Sequence, residues 1–284
     1  MRDPFLLTGP AVVSFSGGRT SGYMLNRILE AHGGTLPSDV KVVFCNTGKE
    51  RLETLDFVER CGQRWGVTVV WLEYRYVPGT PGTPGGRHTF AVIDYASASR
   101  NGEPFEAIIR ARKCLPNVRA RFCTSELKLR TNMRYLRSLG WTAWGNAIGL
   151  RHDEPHRVAK IRGRQEAKAE TVMLPLDAGH IVLADVTAFW TAQPFDLQLR
   201  ADEGNCDLCF LKGPNKVRRL IAERPESADW WARMETLIPS PRYGTAVFRN
   251  DRPGYAVFKE HSTRPTMFPH DEADELSIAC HCTD

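Results

Sequence analysis

Apolar runs alternate with stretches of helical period along the first quarter of the chain. Ala11 to Phe15 is a short apolar run closed by Pro10 before it and Gly17-Gly18 after it, the pattern of a strand buried on both faces. Thr20 to Ala31 then sets Tyr23, Met24, Ile28 and Leu29 on one side of a helix. Val40 to Cys45 is a second β-rich run, ending at Asn46-Thr47-Gly48; Arg51 to Trp65 is helical again; Val67 to Leu72 is a third strand. Strand, helix, strand, helix, strand predicts an α/β fold with a mainly parallel sheet covered by helices.

Farther on the pattern is more broken. Residues 78–86 hold three prolines and four glycines, so they read as a loop of the kind that can close over a site, with His88 beside it. The spacing predicts helices over Glu103 to Arg112, Ser125 to Leu139 and Leu183 to Gln193, the last opened near Asp185. Trp141 to Ile148 reads as a strand and Gly149 to Arg157 as a polar loop after it. From about residue 200 the texture changes to Cys206-Asp207-Leu208-Cys209, a basic helix, and short pieces punctuated by proline and glycine. The expected organisation is an α/β domain over 1–200 and a cysteine-bearing extension over 201–284.

The first strand delivers the chain, through Ser14, into Ser16-Gly17-Gly18-Arg19-Thr20-Ser21 at the start of a helix. Paired glycines let the backbone turn tightly and present its N–H groups. The helix start adds further donors and a partial positive charge. Ser16, Thr20 and Ser21 bring hydroxyls and Arg19 a cation, so the segment can cradle phosphate. The glycine spacing fits neither the Walker A loop nor the dinucleotide fingerprint. A plain strand-to-helix turn with Thr20 as N-cap would share the same residues.

This loop resembles the PP-loop, Ser-Gly-Gly-x-Asp-Ser, of the ATP pyrophosphatase and phosphoadenosine phosphosulfate (PAPS) reductase superfamily. Three further segments are similar to that family's motifs, in the same order: Phe44-Cys45-Asn46-Thr47-Gly48-Lys49-Glu50 with Glu53-Thr54, Arg121 to Lys128 around Cys123-Thr124 and Leu127-Lys128, and Gly149 to Arg157 with Arg151, Glu154 and Arg157. The resemblance implies a doubly wound sheet of the adenine nucleotide hydrolase type and a bound ATP or related adenine nucleotide. It puts the loop on the phosphates, Asn46, Thr47, Gly48 and Glu50 near the adenosine, and Gly149 and Glu154 at the nucleotide. Two guanidiniums, Arg151 and Arg157, on a loop after a strand suit a phosphate or sulfate fork, unless they form a surface Arg–Glu–Arg network. Lys128, a turn beyond Cys123, can lend charge to an anion or thiolate. Thr20 and Asn46 stand where the family usually has aspartate, and a hydroxyl is a poorer partner for Mg²⁺ than a carboxylate.

Eight cysteines are present. Cys206 and Cys209, two residues apart, can turn both sulfurs to one metal. Cys114 and Cys123 offer a second pair. Resemblance to the family's iron–sulfur members implies a [4Fe–4S] cluster on Cys123, Cys206 and Cys209; those members often use adjacent cysteines at the first site, where Phe122 precedes Cys123 here, so the fourth ligand must come from elsewhere and Cys114 is taken for it. Four thiolates also suit structural Zn²⁺, and a metal-free redox pair at Cys206 and Cys209 is a third reading. Cys280 and Cys282 lie in a tail that lacks the family's C-terminal Glu-Cys-Gly-x-His setting. Cys45 and Cys61 read as small core residues, and Trp230-Trp231 as packing.

Composition narrows the function. With 42% hydrophobic and 25% charged residues the chain is ordinary globular protein. No apolar run approaches the ~18 residues of a membrane span, and the start lacks a signal-peptide pattern, which predicts a cytoplasmic protein with no membrane partner. A net charge of +5 suits anionic ligands and permits a nucleic acid as acceptor. The expected activity is sulfur transfer or sulfonucleotide processing: adenylation of an acceptor by ATP followed by thiolation, or reduction of a sulfonucleotide. A non-catalytic, zinc-stapled nucleotide- or DNA-associated module is the reading from another class. The sulfur donor is left open, and an oligomer is compatible with the sequence.

Overall fold

In the computed structural model, residues 3–80, 85–163, 169–200, 203–240 and 244–262 are described. The C-terminal Cys280 and Cys282, and four residues of the 78–86 loop, lie outside them.

Six strands form one sheet: β1 (Ala11–Ser14), β2 (Val40–Asn46), β3 (Val69–Val77), β4 (Arg87–Ile93), β5 (Trp144–Ile148) and β6 (Glu170–Met173). Their order is β4-β3-β2-β1-β5-β6, all parallel except β4, which pairs antiparallel with β3 on the edge. Strand direction of growth reverses at β1, with β2 on one side and β5 on the other. In an open α/β sheet such a reversal opens a crevice at the carboxyl ends of the two strands.

Side chains alternate across the sheet as the pleat requires. Ala11, Val13, Val42, Phe44 and Trp71 pack into one core with helices α1 (Arg19–Ala31), α2 (Leu52–Trp65) and the later helix Leu183–Ala192. Val12, Val43 and Leu72 face the opposite way, toward Tyr135 and Leu136. Both faces are therefore covered and the fold is doubly wound. A third core joins α3 (Glu103–Arg112), Phe122 and Leu127 to the chain from Leu208 to Phe258.

Several elements depart from the sequence reading. Residues 87–93, with His88, are a strand, because β3 runs on to Val77 and the chain returns along it. The expected helix from Ser125 to Leu139 is interrupted: α4 (Phe122–Thr124) leads into a π-helical turn, Ser125–Arg130, and then α5 (Thr131–Ser138). The Thr131 hydroxyl fills the widened turn by donating to the Glu126 carbonyl at 2.8 Å. Single π-turns of this kind are frequent at functional sites. Only the first part of Gly149 to Arg157 is a loop; Pro155 starts α6 (Pro155–Arg162) with its fixed φ. In chain order there follow α7 (Pro175–Ala178), α8 (Leu183–Ala192), α9 (Pro214–Glu223), α10 (Ser227–Leu237), the short strands β7 (Pro239–Ser240) and β8 (Gly244–Thr245), and α11 (Tyr255–Ser262). No helix among the described residues is long and apolar enough to cross a membrane.

Candidate functional site

The crevice at the β1/β5 reversal is a cavity of about 190 Å³. Ser14, Phe15, Ser16 and Ser21 line it from β1 and the loop, Ile148 from the end of β5 and Gly149 and Leu150 from the chain just after it, and Arg157 and Ile161 from α6. Val43 and Cys45 of β2 and Thr124, Lys128, Leu129 and Asn132 of the π-turn region close it on the other side.

The loop is held open by its own hydroxyls. Ser16 and Ser21 Oγ atoms are 2.9 Å apart, and Ser21 Oγ donates to the Gly18 carbonyl at 3.0 Å. The Asn205 amide donates to the Ser16 carbonyl at 2.9 Å, tying the later chain to the loop. Gly17 has φ +80°, and a Cβ there would stand 2.7 Å from Thr54 Cγ2. Glycine is therefore required on conformational and steric grounds together.

Not every loop residue faces the cavity. Arg19 donates to Asp196 through Nε at 2.7 Å and again through Nη2, a two-pronged pair that turns it from the crevice. Burial raises the Asp196 pKa, but the Arg19 guanidinium outweighs it and leaves the carboxyl below its ordinary range. Thr20 is buried, and its hydroxyl accepts from Arg151 Nη1 at 2.9 Å. Arg151 also donates from Nε to Asp153 at 2.9 Å. It thus braces the back of the loop against the chain leaving β5. Glu154 accepts from the Arg151 N–H at 3.0 Å and from Arg157 Nη1. Of the two arginines read as a fork, Arg157 lines the cavity and Arg151 supports it from behind.

At the carboxyl end of β2, Asn46, Thr47, Gly48 and Glu50 form a closed buried network. The Thr47 N–H and hydroxyl donate to Glu50 at 2.8 and 2.7 Å, and the Gly48 N–H to Asn46 Oδ1 at 3.0 Å. Asn46 donates to Glu73 at 2.7 Å. None of the four lines the large cavity; the residues of this strand that do are Val43 and Cys45, the latter of which the sequence reading put in the core. Its thiol is pushed up to about 12, chiefly by burial, with Lys128 opposing, so it is a neutral wall group. Cys61 lies buried in the core beside α1 and α8.

Lys128 lies 3.5 Å from Glu50 Oε1. It and Thr124 line the large cavity and also a smaller one, of about 30 Å³, bounded by Cys123, Cys206, Cys209, Phe210 and Trp231. An isolated antiparallel bridge between Glu50 and Cys206 brings the Cys-x-x-Cys segment here. Ion pairs between Lys49 and Asp207 at 2.7 Å and Arg51 and Glu203 at 3.1 Å hold it. Lys212 is buried beneath, donating to the Cys206 carbonyl at 2.6 Å; burial lowers its pKa against the pull of Cys209, Cys206 and Asp207. Cys114 is exposed and lines neither cavity. Among the described residues no three His, Cys, Asp or Glu side chains converge closely enough to hold one metal ion.

Sequence reasoning missed Asn132 and Asn146. Asn146 accepts from the Ser14 hydroxyl at 2.7 Å and donates to Glu170 at 3.1 Å, placing a polar pair on the cavity floor. An asparagine within the strand Trp-Gly-Asn-Ala-Ile was the available signal, since strands are poor in it. Asn132 keeps a buried Oδ1 with no hydrogen-bond partner and lines the cavity.

The chain is 31% identical over 210 residues to the uncharacterized nin region protein ORF290 of Escherichia phage lambda, covering 72% of this chain and 67% of that one. It belongs to the ORF290 family. No family model matches the chain. A solved PAPS reductase from Candida auris, in complex with phosphate, is similar at 17% identity, covering 66% of this chain and 76% of that one with a TM-score of 0.38. In this member of the ORF290 family, then, the loop, the π-turn and the β5–α6 segment meet around one crevice.

Proposed function

We propose that the chain is a PAPS reductase-like PP-loop enzyme that binds an adenine nucleotide in the 190 Å³ crevice and performs sulfur transfer or sulfonucleotide processing. What carries the reading is the meeting, at the one strand reversal, of three separate motifs whose side chains suit phosphate: Ser16 and Ser21, Lys128, and Arg157. The apolar walls Phe15, Val43, Ile148 and Leu150 suit a base, and Asn132 and Asn146 suit its polar edge.

In the leading chemistry, an acceptor oxygen attacks the α-phosphorus of ATP. Pyrophosphate leaves, and a sulfur nucleophile then displaces AMP from the adenylated acceptor. The chain's own part is to hold the phosphates with loop N–H groups and hydroxyls, and to offset developing negative charge with Lys128 and Arg157. Sulfonucleotide reduction is the second reading. A non-catalytic nucleotide- or DNA-associated module is the third, favoured by Thr20 in the loop.

A [4Fe–4S] cluster or Zn²⁺ would draw on Cys123, Cys206 and Cys209. As placed, the four proposed thiols do not fit a tetrathiolate site, because Cys114 stands apart and exposed. No step here runs through such a group. The deciding experiment is anaerobic incubation with ATP and with PAPS, following pyrophosphate and sulfite. Pyrophosphate release dependent on Lys128 supports adenylation; sulfite supports reduction; tight nucleotide binding with neither product would leave the non-catalytic reading.

A further inference from the structure

Charge is distributed unevenly along this chain. Residues 110–137 contain nine lysines and arginines and a single acidic residue, Glu126, for a net +8, against +5 for the whole protein. The rest of the molecule is therefore net acidic. The basic segment covers the end of α3, the loop to residue 121, the π-turn and α5. It lies on the side of the sheet opposite α1, α2 and α8, since α5 packs through Tyr135 and Leu136 on Val12, Val43 and Leu72.

Most of this charge reaches solvent. Arg110, Arg112, Lys113, Arg119, Arg130 and Arg137 are all exposed. Part of it is paired with carboxylates outside the segment, Arg110 with Glu106 at 2.6 Å and Lys128 with Glu50 at 3.5 Å. Glu126, itself buried, is shared by Arg112 at 2.5 Å, Arg130 at 2.6 Å and Arg134 at 3.1 Å. One carboxylate held among three guanidiniums leaves two charges in surplus and fixes the arginines with N–H groups to spare. The effect is felt at His88 on β4: burial lowers its pKa first, and Arg134, Arg112 and Arg130 lower it further, against Glu126. Exposed apolar Leu129 and Val118 sit in the same segment. The segment also forms the rim of the crevice through Thr124, Lys128, Leu129 and Asn132.

A merely solvated basic surface would be expected to intersperse both signs. Here one sign is gathered beside a cavity while the remainder of the chain mixes both signs and is slightly net acidic. We propose that the surface of residues 110–137 docks the phosphodiester backbone of a nucleic acid, laid so that the bound strand runs to the mouth of the crevice. That the docked strand is also the acceptor of the chemistry rests on the function proposed above; the docking itself does not.

The test is fluorescence anisotropy with labelled single-stranded DNA, single-stranded RNA and duplex DNA of equal length, at salt from about 50 to about 200 mM. The full chain is expected to bind at least one of them with affinity falling linearly in log–log salt. Each phosphate contact removed lowers that slope by about 0.7 on a single strand or about 0.9 on a duplex. Lys113→Glu, Arg119→Glu and Arg137→Glu combined should therefore lower it by about 2 to 3. Arg119→Gln alone, in a loop, should lower it by just under one, which keeps the test decisive if the triple variant folds poorly. Arg60→Glu with Arg64→Glu, exposed on α2 across the sheet, should change nothing.

Absence of salt-dependent binding to all three probes overturns the proposal, as does an equal loss in the α2 control. Polyglutamate binding as tightly as the nucleic acids would also overturn it, by assigning the face to an acidic protein. Binding of ATP, measured separately by calorimetry, should survive in the triple variant. Loss of ATP binding with nucleic-acid binding intact would sink the nucleotide reading and leave this one standing.

Discussion

Thr20→Val tests whether the loop is braced by Arg151. The substitution keeps the branched shape and the helix propensity of threonine and deletes only the acceptor of the 2.9 Å bond from Arg151 Nη1. Thr20 is 2% exposed and Arg151 8%, so water cannot replace the lost partner. A hydrogen bond to a charged group contributes about 1.5–3 kcal/mol. Arg151 keeps Asp153 at 2.9 Å and lies 3.7 Å from Glu154, so the guanidinium is not stranded and the lower end, about 1.5–2 kcal/mol, applies. At roughly 2 °C per kcal/mol for a chain of this size, Tm should fall by about 3–4 °C. Differential scanning calorimetry reads this directly, with Thr20→Ser, which keeps the hydroxyl, retaining most of the stability. An unchanged Tm in Thr20→Val would refute the brace.

Two more outcomes follow from titrating groups. The arginines around Glu126 overcome its burial and hold its carboxyl below the ordinary 4.5; its contribution is full above that value and lost as pH falls through the lower folded pKa. Glu126→Gln should flatten this acid limb of urea stability and, because its arginine partners are partly exposed, cost about 1–3 kcal/mol at neutral pH; an unchanged acid limb would count against the cluster. Cys45, pushed up to about 12, should resist iodoacetamide at pH 8 while exposed Cys114 reacts, as peptide mapping would show; rapid labelling of Cys45 would mean that the thiol is not desolvated.

Local chemistry made the first half of the sheet legible. Val12 and Val43 alternate with Val13 and Phe44 by the period of a strand, and Gly17 ends the first one where only glycine fits. What escaped depended on partners distant in sequence. Arg19 reads as a phosphate cation until Asp196, 177 residues on, claims it. Cys45 looks like core because its strand is buried, yet the pleat turns it, with Val43, to the crevice. The β4 strand was hidden by the prolines before it, since its identity comes from pairing with β3 rather than from its own pattern. The π-turn could not be read from a helical period that its flanks share. Its extra residue is accommodated by one hydroxyl bond from Thr131.

That turn also makes Thr124 and Lys128 a common wall between the larger crevice and the small cysteine-lined cavity. A ligand that shifts either side chain in one space changes the wall of the other. Thermodynamic reciprocity then fixes the exchange: whatever factor an occupant of the cysteine-lined space imposes on binding in the crevice, an occupant of the crevice imposes on binding there in return.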